Sequence, residues 1–143
     1  YKRQVHDPAH PLLVVGDFNV PAHDPDAADP HAHHRDLAQH MARVELVDLW
    51  AAHGVGPGHT CNFTDPMQLP PDPDEPDRVL DGPEPGASVG ERIDYLWLRT
   101  PPDLEVTVDR PRRWAFGGRG VQGGPAGSLS DHLALSVTLH LHT

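Results

Sequence analysis

Three short segments of the chain carry polar residues of the types that hydrolyse phosphoesters: Gly16-Asp17-Phe18-Asn19, Arg92-Ile93-Asp94-Tyr95 and Ser130-Asp131-His132. Such hydrolysis needs a cation to neutralise developing oxygen charge, a base to direct a water molecule, and hydrogen-bond donors to the phosphoryl oxygens. Carboxylate, amide and imidazole groups supply these functions, and hard divalent cations prefer carboxylate oxygens. The three segments therefore predict a phosphoester-hydrolysing site with Mg²⁺ or Mn²⁺ as cofactor.

Each of these segments lies at or in a predicted strand. The apolar run Leu12–Val15, bounded by Pro11 and Gly16, predicts a buried strand. Side chains two positions apart on an extended chain leave it on the same side, so Asp17 and Asn19 are expected to point together. Residues 92–98 predict a second strand with one internal acid, and the alternation over residues 133–141 predicts a third.

In their order, the motifs GDFN, RIDY and SDH resemble the carboxyl-terminal half of the endonuclease/exonuclease/phosphatase superfamily, whose catalytic domain has the DNase I-like fold. The resemblance covers residues 12–141. It implies an α/β fold, a four-layer sandwich of two stacked mixed β-sheets flanked by helices. Residues 1–143 would form a single partial catalytic domain, the second half of that sandwich.

The resemblance also implies a role for each polar residue. Asp17 would orient or deprotonate the attacking water and contribute to metal binding, and Asn19 would hydrogen-bond the phosphate or the leaving oxygen. Asp131 would bind the metal, and His132 would contact the scissile phosphate. Asp94 would hold the imidazole of His132 in one tautomer, which would also give this acid a partner among its apolar neighbours.

Structural explanations for the same residues remain open at this stage. Asp17 and Asn19 are common in turns, and Asp94 can form an ion pair with Arg92 or Arg99 on a surface strand. Asp131 can cap a helix, and His132 can be a surface histidine.

The family's amino-terminal half, which supplies a metal-binding glutamate, has no counterpart before Leu12, and the chain begins at Tyr1 rather than at a methionine. We therefore expect the isolated 143-residue chain to bind magnesium weakly and to have little or no activity, and the complete parent protein to hydrolyse phosphoesters.

The intervening segments contribute fewer predictions. Residues 30–54 have a helical pattern, with Asp29 as the predicted cap, a break near Val44 or Glu45, and a second short helical stripe after it. Residues 58–64 predict a short strand whose His59 and Asn62 would line the edge of the site. Residues 65–90 are rich in proline and acids and predict a mobile insert.

Residues 104–108 alternate as a half-buried strand does, and a group of three arginines beside Trp114 follows. Arg113 is the candidate substrate-binding residue of this group. The arginines would either bind phosphates beside a tryptophan that stacks on a base, or balance the charge of nearby acids. The histidines at positions 31, 33, 34 and 40 lack the spacing of a zinc motif and predict a solvated helix start.

Composition narrows the function further. The formal net charge of −10 argues against a generic nucleic-acid-binding protein, because non-specific affinity depends on neutralising phosphates. Cys61 is the single cysteine, so an internal disulfide is excluded, and no apolar run approaches the roughly 18 residues of a membrane span. Localisation and oligomeric state stay open.

The substrate is predicted to be a phosphoester, either a nucleic acid or, for a sphingomyelinase-like phosphodiesterase, a phospholipid headgroup. The alternative from a different class is a non-catalytic remnant that keeps half of the fold as an interaction module.

Overall fold

The computed structural model describes residues 7, 9–23, 27–61, 77–80, 90–116 and 132–142, and at 77–80, 115 and 116 it describes the backbone alone. Over these residues two helices and eight strands follow one another along the chain: β1 Leu12–Asp17, α1 Ala32–Ala42, β2 Val47–Asp48, α2 Leu49–His53, β3 Asp77–Leu80, β4 Asp94–Arg99, β5 Glu105–Val108, β6 Arg112–Phe116, β7 Ala134–Ser136 and β8 Leu139–His142.

The strands form three small sheets with the orders β1-β4-β2, β3-β6-β7 and β5-β8. Every pairing between the described strands is antiparallel. The predicted mixed α/β class is therefore confirmed, whereas the four-layer sandwich of two mixed sheets is not confirmed. The strands predicted at residues 12–15, 92–98 and 104–108 are present as β1, β4 and β5.

Strand β4 is the centre of the molecule because both of its faces are covered. On one face Tyr95 and Trp97, each about 1% exposed, pack with Leu46 and with apolar residues of β1 and α1. On the other face Leu96 and Leu98 pack with Leu49 and with apolar residues of β5, β7 and β8. Alternate residues of one strand thus serve two apolar clusters, which explains why this run has no solvent-facing pattern.

Helix α1 packs its partly buried Leu37, Ala38 and Met41 against the first cluster. The predicted cap, Asp29, lies two residues before the actual N-cap, His31, whose amide donates to the Asp29 carboxylate at 3.2 Å. The predicted break is confirmed. Glu45 adopts a left-handed conformation with φ of 61°, and the Leu46 amide donates to the Met41 carbonyl, as at many helix ends.

Two predictions on element type need correction. The short apolar segment after the break is only partly helical. Residues 47–48 form β2 and pair with β4, and α2 begins after them. The single strand predicted over residues 133–141 is broken after Ser136. Its two parts, β7 and β8, pair with different strands, β6 and β5, because the chain passes from one small sheet to another.

Strand β6 was not predicted, since its arginines conceal the alternation that a half-buried strand usually shows. It pairs with β3, which comprises residues 77–80 of the segment predicted to be a mobile insert, so this short part is a strand. The remaining insert residues before Gly90 lie outside the described part of the chain.

Gly58 permits the close approach of the loop after α2 to the indole of Trp50, which is 5% exposed. Its φ of +73° disfavours other residues, and a β-carbon there would overlap the indole nitrogen. We expect Gly58→Ala to reduce the free energy of unfolding by about 2 kcal/mol, measured by urea denaturation. Pro57→Ala, at the exposed neighbouring position, is the control, and equal stability of both variants would contradict this account.

Candidate functional site

Asp94 and His132, which are 38 residues apart in sequence, form a direct hydrogen-bonded pair. The Nδ1 atom of His132 lies 2.9 Å from the Oδ2 atom of Asp94. Asp94 is the first residue of β4, and His132 lies two residues before the start of β7. Their side chains are 18% and 27% exposed, so the pair is shielded and still accessible to a ligand. With Nδ1–H donating to the carboxylate, Nε2 is the ring nitrogen of His132 that this pair does not use.

Asp17 is brought to the same place by the pairing of β1 with β4. In this register Asp17 is directly opposite Asp94, and Phe18 continues the ladder by donating to the Ile93 carbonyl at 2.9 Å. Directly opposite residues of antiparallel strands project from the same face, with β-carbons about 5 Å apart. Phe18 packs against Trp97 on the helix-facing side, so Asp17 and Asp94 share the other face.

The turn after β1 fixes the position of Asn19. One carboxylate oxygen of Asp17 accepts a hydrogen bond from the backbone amide of Asn19 at 2.8 Å, and Asn19 itself has a φ of 52°. Gly16 has a φ of 141°, a conformation that is nearly restricted to glycine. The turn role considered for Asp17 and Asn19 is therefore present. Both side chains are exposed, so the turn also presents them to solvent beside Asp94.

Thr60 connects the two motif segments. It is fully buried, its amide donates to the Glu91 carbonyl at 2.7 Å, and its carbonyl accepts the Leu133 amide at 2.7 Å. The predicted strand around it is reduced in the described residues to a bridge between Cys61 and Glu91. This segment holds the chain before Asp94 next to the chain after His132, and sequence reasoning gave it no such role.

Of the other predicted site residues, the structure describes His59 and Arg113. His59 is half-buried next to Thr60, and its carbonyl accepts from Nη1 of Arg113 at 2.9 Å. Arg113 is 1% exposed, and its guanidinium lies 5.7 Å from the centre of the Trp50 ring. Arg113 is therefore packed in the interior, which does not favour its predicted role in substrate binding, and that role stays a prediction. Asn62 and Asp131 lie outside the described residues.

The structure contains a second polar cluster that sequence reasoning missed. Arg92 and Asp48 are both buried, with Nη1 of Arg92 at 2.8 Å from Oδ2 of Asp48. His34 lies 3.4 Å from the same oxygen, and the Arg92 guanidinium is 4.7 Å from the centre of the Tyr95 ring. Arg92 is therefore paired with Asp48, which leaves Asp94 to His132. The positions alone, 44 residues apart, gave no signal for this pairing.

Electrostatics make Asp48 the anchor of this cluster. Burial by itself would raise the pKa of Asp48, but hydrogen bonds from His34 and Arg92 and the positive charge of Arg92 hold it below its usual value of 3.8. The same carboxylate caps α2 by accepting the amides of Trp50 at 2.9 Å and Ala51 at 3.2 Å. One side chain therefore joins α2, α1 and the segment that leads into β4.

The phenol of Tyr95 gives a spectroscopic test of this packing. Burial raises the pKa of Tyr95 to about 12, and the hydroxyl donates to the Val20 carbonyl at 2.7 Å. Because the folded value exceeds the usual 10.0, Tyr95 stabilises the fold fully below pH 10 and ceases to do so as the pH rises through 12. Absorbance titration should show one late-ionising tyrosine that Tyr95→Phe removes. If Tyr95 ionised near pH 10 in the folded protein, as an exposed tyrosine does, this account of its packing would be contradicted.

The described residues fit a divalent cation only in part. Over the ranges that the structure covers, no group of three or more His, Cys, Asp or Glu side chains is arranged to hold a metal. Magnesium, however, is commonly bound through one or two carboxylates with several waters, and Asp17 and Asp94 are adjacent carboxylates on one face. The donor chemistry therefore suits a hard cation, although it does not make a complete ligand set.

The histidines around α1 have separate environments. His34 is part of the Asp48 cluster, whereas Nδ1 of His40 lies 2.7 Å from the Asp36 carbonyl within the helix. His31 contacts the Ala22 carbonyl through Nδ1 at 2.9 Å. His31 and His33 are exposed, as expected for a solvated helix start, whereas His34 is packed.

Neither helix of the described chain combines the length and apolar character needed to cross a membrane. Comparison of the chain with family models, with curated proteins and with solved structures gave no match.

Proposed function

We propose that this chain carries part of the active site of a metal-dependent phosphoester hydrolase of the endonuclease/exonuclease/phosphatase type. The observation that carries the proposal is the pairing of Asp94 with His132 at 2.9 Å, beside Asp17 in the opposite register position. The three motifs that supply these residues are separated by more than 30 residues each. Turn formation or surface solvation does not require all three to meet at one place.

In the proposed reaction Asp17 directs or deprotonates the attacking water. The turn holds Asn19 beside Asp17, and its side-chain amide donates a hydrogen bond to the phosphate or the leaving oxygen. His132 contacts the scissile phosphate, and Asp94 fixes the orientation and tautomer of its ring. Asp94 is thus a positioning residue, while the other three act on the substrate.

A bound divalent cation, Mg²⁺ or Mn²⁺, would neutralise the charge that develops on the phosphoryl oxygens. Asp17 is the described residue best placed to contribute to holding it, and Asp131 is the further ligand that the motif resemblance implies. The proximity of two carboxylates at Asp17 and Asp94 supports a cation here, because like charges directly opposite each other otherwise destabilise a sheet.

The competing proposal is an interaction module without catalysis. It does not require Asp17, Asp94 and His132 to be close together, whereas the enzyme does. The partial exposure of the Asp94–His132 pair also leaves it accessible to a substrate.

The proposal is tested with the full gene product and bis-p-nitrophenyl phosphate as substrate. We expect magnesium-dependent release of nitrophenol that Asp17→Asn lowers about 10²-fold or more, because the base is lost. Asp103→Asn, at an exposed position in the loop before β5, is the matched control and should keep wild-type activity. Folding of each variant is checked by circular dichroism, and wild-type turnover by a folded Asp17→Asn variant would refute the assignment.

A further inference from the structure

The phenol of Tyr95 reaches from β4 to the turn that carries Asn19. Its hydroxyl donates to the Val20 carbonyl at 2.7 Å, and Val20 directly follows Asn19 in the chain. The proposed reaction uses the side-chain amide of Asn19 but gives no role to Tyr95. A buried side chain of the core is therefore bonded to the backbone next to a proposed site residue.

Two backbone hydrogen bonds to the segment that leads into β4 fix the ends of this turn. The amides of Phe18 and Ala22 donate to the carbonyls of Ile93 and Arg92, each at 2.9 Å. Residues 19–21 lie between these two anchors, and the phenol hydroxyl meets them at their central carbonyl. The hydroxyl therefore restrains the part of the turn that the backbone bonds leave between them.

The backbone of Asn19 depends on such restraint. Its φ of 52° lies in the left-handed region, which few residues other than glycine adopt and which surrounding contacts must stabilise. On one side the Asp17 carboxylate accepts the backbone amide of Asn19 at 2.8 Å, and on the other the hydroxyl of Tyr95 holds the carbonyl of Val20. Together these contacts set the direction in which the Asn19 side chain leaves the turn.

The ring of Tyr95 is itself held in place by its neighbours. It is about 1% exposed, stacks on Trp97 at 5.4 Å between ring centres, and meets the edge of Phe18 at 5.6 Å. The Arg92 guanidinium lies 4.7 Å from the centre of the ring. Because close packing allows the ring little movement, the hydroxyl is a fixed point supplied by the core.

We propose that Tyr95 is a positioning residue for the reaction, and that its hydroxyl holds the Asn19 turn where the side-chain amide can donate to the phosphate or the leaving oxygen. The inference rests on the proposed hydrolase function. A hydrogen-bond donor to developing charge is effective only when it is held in place before the reaction, and a displacement of about 1 Å can lower the rate substantially.

The first test is the turnover of bis-p-nitrophenyl phosphate with magnesium by the full gene product carrying Tyr95→Phe. This variant keeps the ring and removes the hydroxyl, so we expect kcat to fall about tenfold with KM nearly unchanged, as for an interaction that acts in the transition state. Asn19→Ala removes the donor itself and should lower kcat about 10²-fold.

The double variant separates positioning from a general structural role. If Tyr95 acts through Asn19, Tyr95→Phe should cost less than about twofold in kcat when Asn19→Ala is already present. A hydroxyl that only supports the overall fold would cost the same factor in both backgrounds. Equal costs in the two backgrounds would overturn the inference.

Ser136→Ala is the matched control. It removes the hydroxyl that accepts from the Trp114 indole Nε1–H at 2.7 Å, a part-buried hydrogen bond of the same length as that of Tyr95. This variant should keep wild-type turnover. A fall in kcat equal to that of Tyr95→Phe would show that losing any such bond is sufficient, and would overturn the inference.

A measurement without substrate separates this inference from the hydrolase function. The ¹³C chemical shifts of the Asn19 backbone report its left-handed conformation, and they should change in Tyr95→Phe and not in Ser136→Ala. Unchanged shifts, or undiminished turnover by Tyr95→Phe while the wild type is active, would overturn the inference alone. Absence of turnover by the wild type would refute the hydrolase function, and the inference with it.

Discussion

Replacing Asp94 with asparagine is expected to lower phosphodiester turnover by the full gene product about 10³- to 10⁴-fold while leaving the fold intact. The carboxylate accepts Nδ1–H of His132 at 2.9 Å, and an amide at this position can present its NH₂ group instead. The imidazole would then lose both its fixed orientation and the neighbouring negative charge that stabilises the protonated ring as a hydrogen-bond donor to the phosphate. The measurement is the turnover number with bis-p-nitrophenyl phosphate and magnesium.

Two controls separate this effect from a loss of structure. Asp103→Asn changes the same chemical group at an exposed site and should be fully active. The ¹⁵N chemical shifts of the His132 ring report its tautomer, which should change in Asp94→Asn and not in Asp103→Asn. Undiminished turnover together with an altered tautomer would show that the orientation of His132 does not matter for catalysis.

The largest stability effect is expected for Asp48→Ala, which should reduce the free energy of unfolding by about 3 to 5 kcal/mol. The variant leaves the Arg92 guanidinium buried at 5% exposure without its carboxylate, and it removes the cap of α2. Urea denaturation measures the loss. Because its pKa is lowered in the fold, Asp48 stabilises the protein above pH 3.8 and this contribution disappears as the pH falls through the folded value.

Asp109→Ala is the matched control for Asp48→Ala. It removes a carboxylate that also contacts a histidine, but its side chain is 56% exposed, so the loss should stay within about 1 kcal/mol. Asp48→Asn keeps an oxygen for the helix cap and should fall between the two. A cost of Asp48→Ala no larger than that of Asp109→Ala would show that the buried pair contributes little.

The sequence predicted the parts of this molecule that local patterns determine. The short apolar runs at β1, β4 and β5 and the helical spacing of α1 were sufficient, because each pattern is complete within a few residues. The pairing of Asp94 with His132 was also expected, since the motif resemblance and the need of a strand-borne acid for a partner gave the same answer.

Other features depend on contacts between distant residues and could not be predicted. Arg92 was considered as a partner of Asp94, but it meets Asp48, and no local pattern signals a contact across 44 residues. Arg113 resembled a surface cation because arginine is rarely buried, yet it packs on Trp50. The break after Ser136 was missed because both halves of that run keep the same alternation.

The register between β1 and β4 connects stability to the site in one further way. A slip of β1 by a single residue would turn Leu12 and Val14 away from the cluster around Trp97 and, in the same movement, turn Asp17 to the opposite side from Asp94. The apolar residues that penalise such a slip therefore also fix the position of Asp17, the proposed base. Core substitutions on β1 should accordingly impair the proposed hydrolase activity before they unfold the protein.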